Sequence, residues 1–265
     1  MMLNTNPIDL EFERRFGALV RLYGATGAQR IFSAHVVVVG IGGVGSWAVE
    51  SLARSGVQRL TLIDMDHISV SNVNRQLHAL SGTIGQSKVL AMQSRILEIN
   101  PRCIVTVVDD FVTPENWSQM AAQLSHPIDG LIDACDQTLA KVALCEWAVP
   151  TQTRLISVGA AGGKMAAHRV DVKDLIEVTH DPLMAQVRYR LRRSGVLGKE
   201  SKKSGIHCVF STEKVINPWG KEEEPSGHQD SSLNCHGYGS SVSVTATFGH
   251  CAAGWILHEI AHAQV

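Results

Sequence analysis

Between residues 36 and 88, the spacing of glycine and charged residues suits the binding of phosphate groups. Gly40, Gly42 and Gly45 follow the β-branched run Val36–Val39 with the spacing G-x-G-x-x-G, and Gly43 lies between them. A buried strand, a tight glycine turn and the start of a helix present backbone N–H groups and a helix dipole to phosphate oxygens. The sequence therefore predicts that a nucleotide binds at this turn.

Polar residues follow the next predicted strand, Leu60–Ile63, at the sheet edge where α/β proteins bind ligands. Asp64 ends this strand about 20 residues beyond the glycines, the usual position of an acid that accepts a hydrogen bond from a ribose hydroxyl. The other side chains that we assign to the same site come from the loop and helix that follow: Asp66, Asn72, Asn74, Arg75, Gln76 and Lys88.

Two cations in this set, Arg75 and Lys88, separate the pattern from that of a dehydrogenase. The glycine turn alone can hold the pyrophosphate of NAD or FAD, whereas a triphosphate has β and γ oxygens to neutralise. We expect Arg75 and Lys88 to stabilise the triphosphate during attack on its α-phosphorus. The alternative is that both form surface ion pairs, but the positions four residues from Lys88 are Ile84 and Met92, which are not acidic.

The complete pattern resembles the ThiF/MoeB superfamily, which includes ubiquitin-activating enzymes and bacterial sulfur-carrier adenylyltransferases. The matching motifs are the glycine turn, the acids Asp64 and Asp66, the run Ser71–Gln76, Lys88, and the run Asp133–Asp136 after a short predicted strand. The resemblance implies an ATP site that includes all of these groups. It also implies catalytic roles for Arg75, Lys88 and Asp136, with Asp136 as the ligand of Mg²⁺ and Asp133 beside it.

Motifs elsewhere in the chain are similar to one branch of this superfamily. They are Arg15–Gly17, Arg21–Gly24, Val108–Val112, Gly159–Gly163, Cys208–Glu213 and Val244–Gly249. Enzymes of this branch use ATP to dehydrate and cyclise threonylcarbamoyladenosine beside the tRNA anticodon. The resemblance implies adenylation of the threonyl carboxylate and then ring closure with loss of AMP, with tRNA rather than DNA as the partner. A sulfur acceptor or a cysteine desulfurase, which some relatives use, stays open as a further partner.

The family commonly places an arginine of the partner subunit near the γ-phosphate, so the resemblance implies a homodimer. Related adenylyltransferases have the motif R-x-x-R-Q in their N-terminal segment. This chain has Arg15-Phe16-Gly17-Ala18-Leu19 there and lacks the second arginine. Arg15 and Arg21 are therefore the candidates for the residue that acts in trans.

Composition indicates a globular enzyme and restricts where RNA could bind. The chain has 265 residues, a formal net charge of −1 and 45% hydrophobic residues, so any RNA contact must come from a local patch. Cations cluster between residues 188 and 203, and of these we expect phosphate contacts from Arg188, Arg192, Arg193, Lys202 and Lys203. A solvated helix face is the other explanation. Tyr189 is expected to pack beneath this helix rather than stack on a base.

Six cysteines occur without C-x-x-C spacing, which argues against the structural zinc of many sulfur-carrier activators. No secretory signal is recognised, so a reducing cytoplasm is expected. Cys103, Cys135, Cys145 and Cys251 have apolar neighbours and are predicted to be core residues. Cys235 precedes His236 in a polar loop and could form a reactive thiolate. Cyclisation needs no such nucleophile, because the attacking atom already belongs to the substrate.

The C-terminal stretch 239–262 is apolar and is predicted to be a helix. It contains His258 and His262 in the spacing H-E-x-x-H, which zinc proteases use. We interpret this spacing as the end of a helix, because almost no chain remains to supply a third ligand. The apolar run is shorter than the roughly 20 residues of a membrane span, so membrane association is not expected. Packing in the core or at a dimer interface is the better explanation.

Apolar runs and turn residues predict alternating strands and helices along most of the chain. Predicted strands are Val36–Val39, Leu60–Ile63, Ile104–Val108, Leu131–Asp133, Arg154–Val158 and an edge strand Lys164–Val172. The fold class is therefore α/β, a Rossmann-like doubly wound, mainly parallel sheet with a C-terminal extension. We divide the chain into N-terminal helices (1–34), an ATP-binding part (35–165) and a substrate or dimer region of the same globule (166–265). The polar segment Ser201–Ser232 is a candidate lid that would exclude water.

Three functions remain open from the sequence. The first is the ATP-dependent cyclisation of a tRNA nucleoside. The second is the adenylation of the C-terminal carboxylate of a ubiquitin-like or sulfur-carrier protein. The third, a nicotinamide-dependent dehydrogenase or a nonenzymatic dinucleotide-binding module, is disfavoured by Arg75 and Lys88.

Overall fold

The computed structural model describes residues 7–198, 200–215 and 238–263. The helices are α1 (Pro7–Phe16), α2 (Ala18–Ser33), α3 (Gly45–Arg54), α4 (Lys88–Ile99), α5 (Trp117–Gln123), α6 (Thr138–Thr151), α7 (Pro182–Ser194) and α8 (Val242–Ala261). The strands are β1 (His35–Val39), β2 (Arg59–Ile63), β3 (Ile104–Val108), β4 (Gly130–Asp133), β5 (Leu155–Val158), β6 (Val170–Asp174) and β7 (His207–Ser211).

In the described part of the chain, the seven strands form one sheet in the order β3-β2-β1-β4-β5-β7-β6. Neighbouring strands are parallel, except that β6 pairs with β7 in the antiparallel direction. The chain leaves β1 toward β2 and β3, and it later returns to β4 on the other side of β1. The crevice that opens where the order reverses, at the carboxyl ends of β1 and β4, is the usual ligand site of such sheets. The predicted α/β class is confirmed.

Alternation along the strands builds a hydrophobic core on each face of the sheet. Val36 and Val38 face the core that contains α2, α3, α4 and α8, whereas Val37 and Val39 face the core that contains α5, α6 and α7. All four valines are buried. A strand that is covered on both faces has a continuous apolar sequence, which explains why the run Val36–Val39 is so easily recognised.

The C-terminal half differs most from the predictions. The sequence predicts an edge strand at Lys164–Val172. The structure instead has a short 3₁₀ turn followed by β6, which spans Val170–Asp174. The analysis of the sequence also misses β7, which enters the sheet between β5 and β6. Its pattern HCVFS is short and does not alternate, because four of its five residues are buried.

The apolar helix α8 lies in the core of its own subunit and not on its surface. It packs along α3 and α2 and also contacts the sheet through β4 and β5. Phe248, Ala252, Ala253 and Ile256 are fully buried. Of the two explanations offered for its sequence, core packing is confirmed, and an apolar C-terminal helix no longer argues for a dimer. Within the described residues, no helix has both the length and the apolar character that crossing a membrane requires.

Two glycines of α8 provide a test of how closely this helix must approach α3. A Cβ atom added to Gly249 would lie 2.5 Å from the carbonyl oxygen of Val44 and 2.8 Å from the backbone nitrogen of Ala48. A Cβ added to Gly254 would meet no atom within 4 Å. The close contact at Gly249 therefore involves backbone that also forms the start of α3.

We expect Gly249→Ala to lower the free energy of unfolding by roughly 1–3 kcal/mol, because the new methyl group forces two helices apart. Gly254→Ala is the matched control on the same helix and should be neutral or stabilising by up to about 1 kcal/mol, since alanine favours helix more than glycine does. Urea unfolding of the two variants and of the unchanged protein measures the difference. Equal stabilities for the two variants would contradict the close crossing of α3 and α8.

Candidate functional site

A cleft with a volume of about 460 Å³ opens at the carboxyl ends of β1, β2, β4 and β5. It brings together most of the residues that the sequence assigns to the ATP site: Gly40, Gly42, Gly43, Asp64, Asp66, Asn72, Arg75, Gln76, Lys88 and Asp136. The sequence separates the first and last of these by almost a hundred residues. The reversal of strand order between β1 and β4 explains why they meet.

The glycine turn has the close backbone approach that its sequence predicts. Gly40 has a φ of +84°, and an added Cβ would lie 2.8 Å from the oxygen of Ala134 and 2.8 Å from the nitrogen of Cys135. Gly45 begins α3 and packs against the backbone of Gly40, so it supports the turn from behind rather than lining the cleft. The turn therefore has no room for side chains where it meets β4.

Asp64 is buried just after β2, and its carboxylate connects the glycine turn to the loop that follows β2. Its Oδ2 accepts a hydrogen bond of 2.6 Å from the nitrogen of Ile41, and its Oδ1 accepts one of 2.8 Å from the nitrogen of Asp66. Burial raises the pKa of Asp64, and the positive charge of Lys88 acts against this rise. The carboxylate lines the cleft and can accept a further hydrogen bond from a ligand hydroxyl.

Lys88 lies in the cleft with acidic partners that its local sequence does not reveal. Its Nζ is 2.5 Å from Oδ2 of Asp66 and 3.9 Å from Oδ1 of Asp64. As the sequence indicates, no acid lies four residues from Lys88, and both of its partners come from the segment just after β2. Lys88 is also the first residue of α4, where the positive end of the helix dipole opposes a cation. The two acids offset that repulsion and hold the ammonium group at the cleft.

The run from Asn72 to Gln76 lies beside the glycine turn, since a Cβ added to Gly43 would be 3.3 Å from Cγ of Arg75. Arg75 Nη1 donates hydrogen bonds of 2.8 Å to the oxygen of Ser71 and to Oδ1 of Asn74. Asn72 stabilises the local turn by accepting a hydrogen bond from the nitrogen of Ser69. Asn74 does not line the cleft, and its amide instead donates to the oxygen of Ser240 ahead of α8.

Three buried polar side chains near Lys88 lack hydrogen-bond partners among the described residues. They are Gln76 at Oε1, His78 at both ring nitrogens and Ser87 at Oγ. Burial, and to a smaller extent the charge of Lys88, lowers the pKa of His78 to about 4, so the ring is neutral at pH 7. By contrast, the buried His35 has partners at both nitrogens, including Thr61 Oγ1 at 2.8 Å. Unpaired buried groups are rare in native proteins, and this set fits a region that polar ligand atoms or water complete.

The run after β4 contains two aspartates in very different surroundings. Asp136 is exposed and lines the cleft. Asp133 is fully buried and lies 3.0 Å from Nζ of Lys141, while Ser157 Oγ donates a 2.6 Å hydrogen bond to its Oδ2. Burial alone would lower the pKa of Lys141, but the charge of Asp133 raises it. The structure thus separates Asp133 from the cleft and pairs it with a lysine that the sequence analysis misses, although a lone cation within the apolar helix α6 is a visible signal.

Several cleft residues come from motifs that the sequence analysis quotes without assigning them to the site. Phe111, just after β3, is partly exposed and lines the cleft. Gly159–Gly162 after β5 and Leu183 of α7 form the opposite wall, and α8 contributes Thr245. Flat apolar surface next to polar groups suits a nucleoside base.

The two arginines proposed to act in trans do not line this cleft within their own subunit. Arg15 Nη1 donates a hydrogen bond of 3.0 Å to the oxygen of Ile99, and Arg15 also pairs with Glu11 at 2.7 Å. Ile99 ends the 12-residue helix α4 that Lys88 begins, so Arg15 lies about 18 Å away along that helix. Arg21 is exposed on α2.

The basic segment forms the exposed part of α7 and the loop that follows, with two corrections to the predictions. Arg188 is not free for phosphate contacts, because its Nη1 donates to the oxygens of Leu175 at 2.9 Å and Val178 at 3.1 Å. Tyr189 does not pack beneath the helix, since 65% of its surface is exposed. The cations that remain exposed are Arg190, Arg192, Arg193, Lys202 and Lys203.

The remaining predicted features are the reactive cysteine, the lid segment and the H-E-x-x-H spacing. Cys235 lies outside them, as do residues 216–232 of the segment considered as a lid. His258 and His262 contact each other on one helical turn, with ring centroids 4.2 Å apart. Within the described part of the chain, no group of three or more histidine, cysteine, aspartate or glutamate side chains could hold a metal ion. The H-E-x-x-H spacing is therefore part of the end of α8.

Comparison with known proteins agrees with this arrangement. The tRNA threonylcarbamoyladenosine dehydratase of Haemophilus influenzae is 41% identical over 251 residues, which are 94% of this chain and 94% of that protein. The enzyme of the same name from Escherichia coli K12 is 42% identical over 256 residues, again 94% of each chain. The crystal structure of the Escherichia coli enzyme in complex with ATP has a TM-score of 0.84 and 40% identity, covering 97% of each chain. Residues 16–263 match the ThiF family, and the chain belongs to that family.

Proposed function

We propose that this chain is an ATP-dependent enzyme that dehydrates threonylcarbamoyladenosine in tRNA through adenylation of the threonyl carboxylate. The observation that carries the proposal is the cleft itself, because it joins a glycine turn, a buried acid and two cations at one end of the sheet. Relatives that span 94% of the chain and are named for this activity support it. The crystal structure of one relative in complex with ATP supports the use of ATP by this chain.

The chemistry follows from the charges around the cleft. The carboxylate oxygen of the substrate forms a bond to the α-phosphorus, and the bond to the β-phosphate oxygen breaks, so negative charge accumulates on pyrophosphate. Arg75 and Lys88 would stabilise that charge, and backbone N–H groups of the glycine turn would hold the phosphates. A nitrogen or oxygen of the same side chain then attacks the activated acyl carbon and AMP leaves, which removes the elements of water overall.

The alternative substrate, a carrier protein with a C-terminal carboxylate, differs only in the second half of this reaction. The direct test therefore compares pyrophosphate release in the presence of tRNA that carries threonylcarbamoyladenosine, unmodified tRNA, and a sulfur-carrier protein that ends in glycine. We expect release only with the modified tRNA. Release with the carrier protein alone would assign the second activity instead.

Lys88 and Arg75 provide the first mutational test. Lys88→Ala should lower the rate of pyrophosphate release by about 10²-fold or more, the loss typical when one charge-stabilising group is removed. Arg75→Ala should act in the same direction. The control is Lys173→Ala, which removes an exposed lysine from the edge strand β6. Near-normal turnover in Lys88→Ala would exclude Lys88 from the reaction.

We also propose that Mg²⁺ accompanies ATP and that Asp136 holds it. Mg²⁺ is commonly bound by one or two carboxylates together with substrate phosphates, and Asp136 supplies an exposed carboxylate on the cleft wall. The metal would neutralise phosphate charge and orient the triphosphate.

Asp136→Asn should raise the concentration of Mg²⁺ needed for half-maximal activity, or abolish activity, while thermal unfolding stays unchanged. Asp171→Asn, on the exposed edge of the sheet, is the control. Magnesium titrations of Asp136→Asn and of the unchanged enzyme that superimpose would refute the role of Asp136. Asp133 is not expected to substitute, because Lys141 and Ser157 already occupy its carboxylate.

We propose that tRNA phosphates contact the exposed cations Arg192, Arg193, Lys202 and Lys203, while the rest of the chain is acidic. Replacing all four with alanine should weaken tRNA binding and flatten its dependence on salt, because fewer condensed counterions are released. ATP affinity should not change. A double variant, Arg14→Ala with Lys173→Ala, removes two exposed positive charges elsewhere and tests whether charge loss outside this segment also weakens tRNA binding. Filter binding at several salt concentrations measures how tRNA affinity depends on salt for each variant and for the unchanged protein. An unchanged tRNA affinity in the quadruple variant would show that these cations only form a solvated helix face.

The proposed enzyme is a cytoplasmic homodimer in which a partner arginine, Arg15 or Arg21, completes the nucleotide site. Several apolar side chains support an interface, since Leu22 is 72% exposed on α2, and Leu90 and Leu97 are exposed on α4. Light scattering at assay concentration should give twice the subunit mass of 28.7 kDa. A fully active monomer would contradict this proposal.

A further inference from the structure

The helix α7 connects the cleft with the basic surface. Its N-terminal residue Leu183 lines the cleft, and the capping residue Asp181 accepts a hydrogen bond of 2.9 Å from the nitrogen of Ala160 in the cleft wall. The helix ends at Ser194, next to the exposed cations. The helix therefore extends from the wall of the cleft to the basic surface.

The buried face of α7 is complete without its tyrosine. Leu183, Met184, Val187 and Leu191 are all buried against the core beneath the sheet. Tyr189 points away from these residues and exposes 65% of its surface. Its ring therefore contributes little to folding, and its placement calls for another explanation.

Tyr189 lies among cations and close to the edge of the cleft. Arg192 and Arg193 follow it by three and four residues, so both neighbour its ring on the helix surface. One turn earlier, Gln186 accepts a hydrogen bond of 3.2 Å from Thr138 Oγ1 at the start of α6. Thr138 directly follows the cleft residue Gln137. The exposed surface is thus continuous from the cleft through Gln186 to Tyr189 and the arginines.

An exposed aromatic ring beside arginines has the chemistry of a stacking site for unpaired bases. Single-stranded RNA is bound by aromatic rings that stack on bases, combined with cations that contact phosphates. Tyr189 lies six residues beyond Leu183, about 9 Å along the helix axis. That distance corresponds to only a few nucleotides of a strand, so a base near the one in the cleft can reach the ring.

We propose that Tyr189 stacks on an unpaired base of the RNA substrate, a few nucleotides from the reacting nucleotide, while Arg192 and Arg193 contact the adjacent phosphates. This assignment rests on the proposed function, because it takes RNA as the substrate. It adds a preference for a single-stranded loop over a duplex. An acidic protein would use the same cations but would not require the ring.

The experiment compares Tyr189→Ala with Tyr189→Phe, since phenylalanine keeps the ring and removes only the hydroxyl group. Binding is measured with a tRNA anticodon stem-loop and with a fully paired RNA duplex of the same number of phosphates. We expect Tyr189→Ala to weaken stem-loop binding by roughly 5- to 100-fold, the range found for loss of one stacked base. Tyr189→Phe should bind the stem-loop like the unchanged protein, and duplex binding should be the same for all three. ATP affinity checks that each variant is folded.

Three results would overturn the proposal: equal stem-loop affinity for Tyr189→Ala and the unchanged protein, an equal loss with alanine and phenylalanine, or an equal loss on duplex RNA. The second would indicate a hydroxyl hydrogen bond, and the third a nonspecific contact. Pyrophosphate release by the unchanged enzyme separates this inference from the proposed function. An enzyme that needs modified tRNA while Tyr189→Ala binds normally would refute the stacking role alone. Ring-dependent stem-loop binding without tRNA-dependent release would refute the proposed function alone.

Discussion

The close approach of Gly40 to the backbone of β4 is the constraint on which the cleft depends. The turn after β1 and the exit of β4 meet with so little space that a single Cβ atom would lie 2.8 Å from two backbone atoms. This contact puts the glycine turn and the run that carries Asp136 side by side at the point where the strand order reverses. Any larger residue at Gly40 would separate the turn proposed to bind phosphates from the carboxylate proposed to bind the metal.

Two ion pairs then fix the walls on either side of this contact. The pair of Asp133 and Lys141 anchors the exit of β4 to α6, because both side chains are fully buried and Ser157 adds a hydrogen bond from β5. The ion pair of Lys88 and Asp66 likewise connects the start of α4 to the loop after β2. The two pairs differ in exposure, however. Asp133 is enclosed, whereas the side chain of Asp66 is 54% exposed, so a phosphate can approach Lys88 but not Lys141.

The sequence is sufficient to predict those parts of the fold and the site that depend on local pattern. Strands such as β1 and β2 are apolar, β-branched and bounded by glycine or acid, so their positions follow from the sequence within a residue. Partners that are distant in sequence leave no such pattern. The acids beside Lys88 lie more than twenty residues away, and the carbonyl oxygens that engage Arg188 come from the segment after β6. The orientation of Tyr189 likewise depends on which face of α7 the core covers.

The position of α8 changes how the chain must be divided. Its apolar sequence fits a core or an interface equally well, and only its packing against α3 and the sheet distinguishes them. Because it lies in the core, it brings Thr245 into the cleft and places Gly249 against the start of the helix that follows the glycine turn. Residues 35–165 therefore do not build the nucleotide site alone. The C-terminal region therefore supports the glycine turn through α8 and carries the basic surface on α7, and these two helices pack on opposite faces of the same sheet.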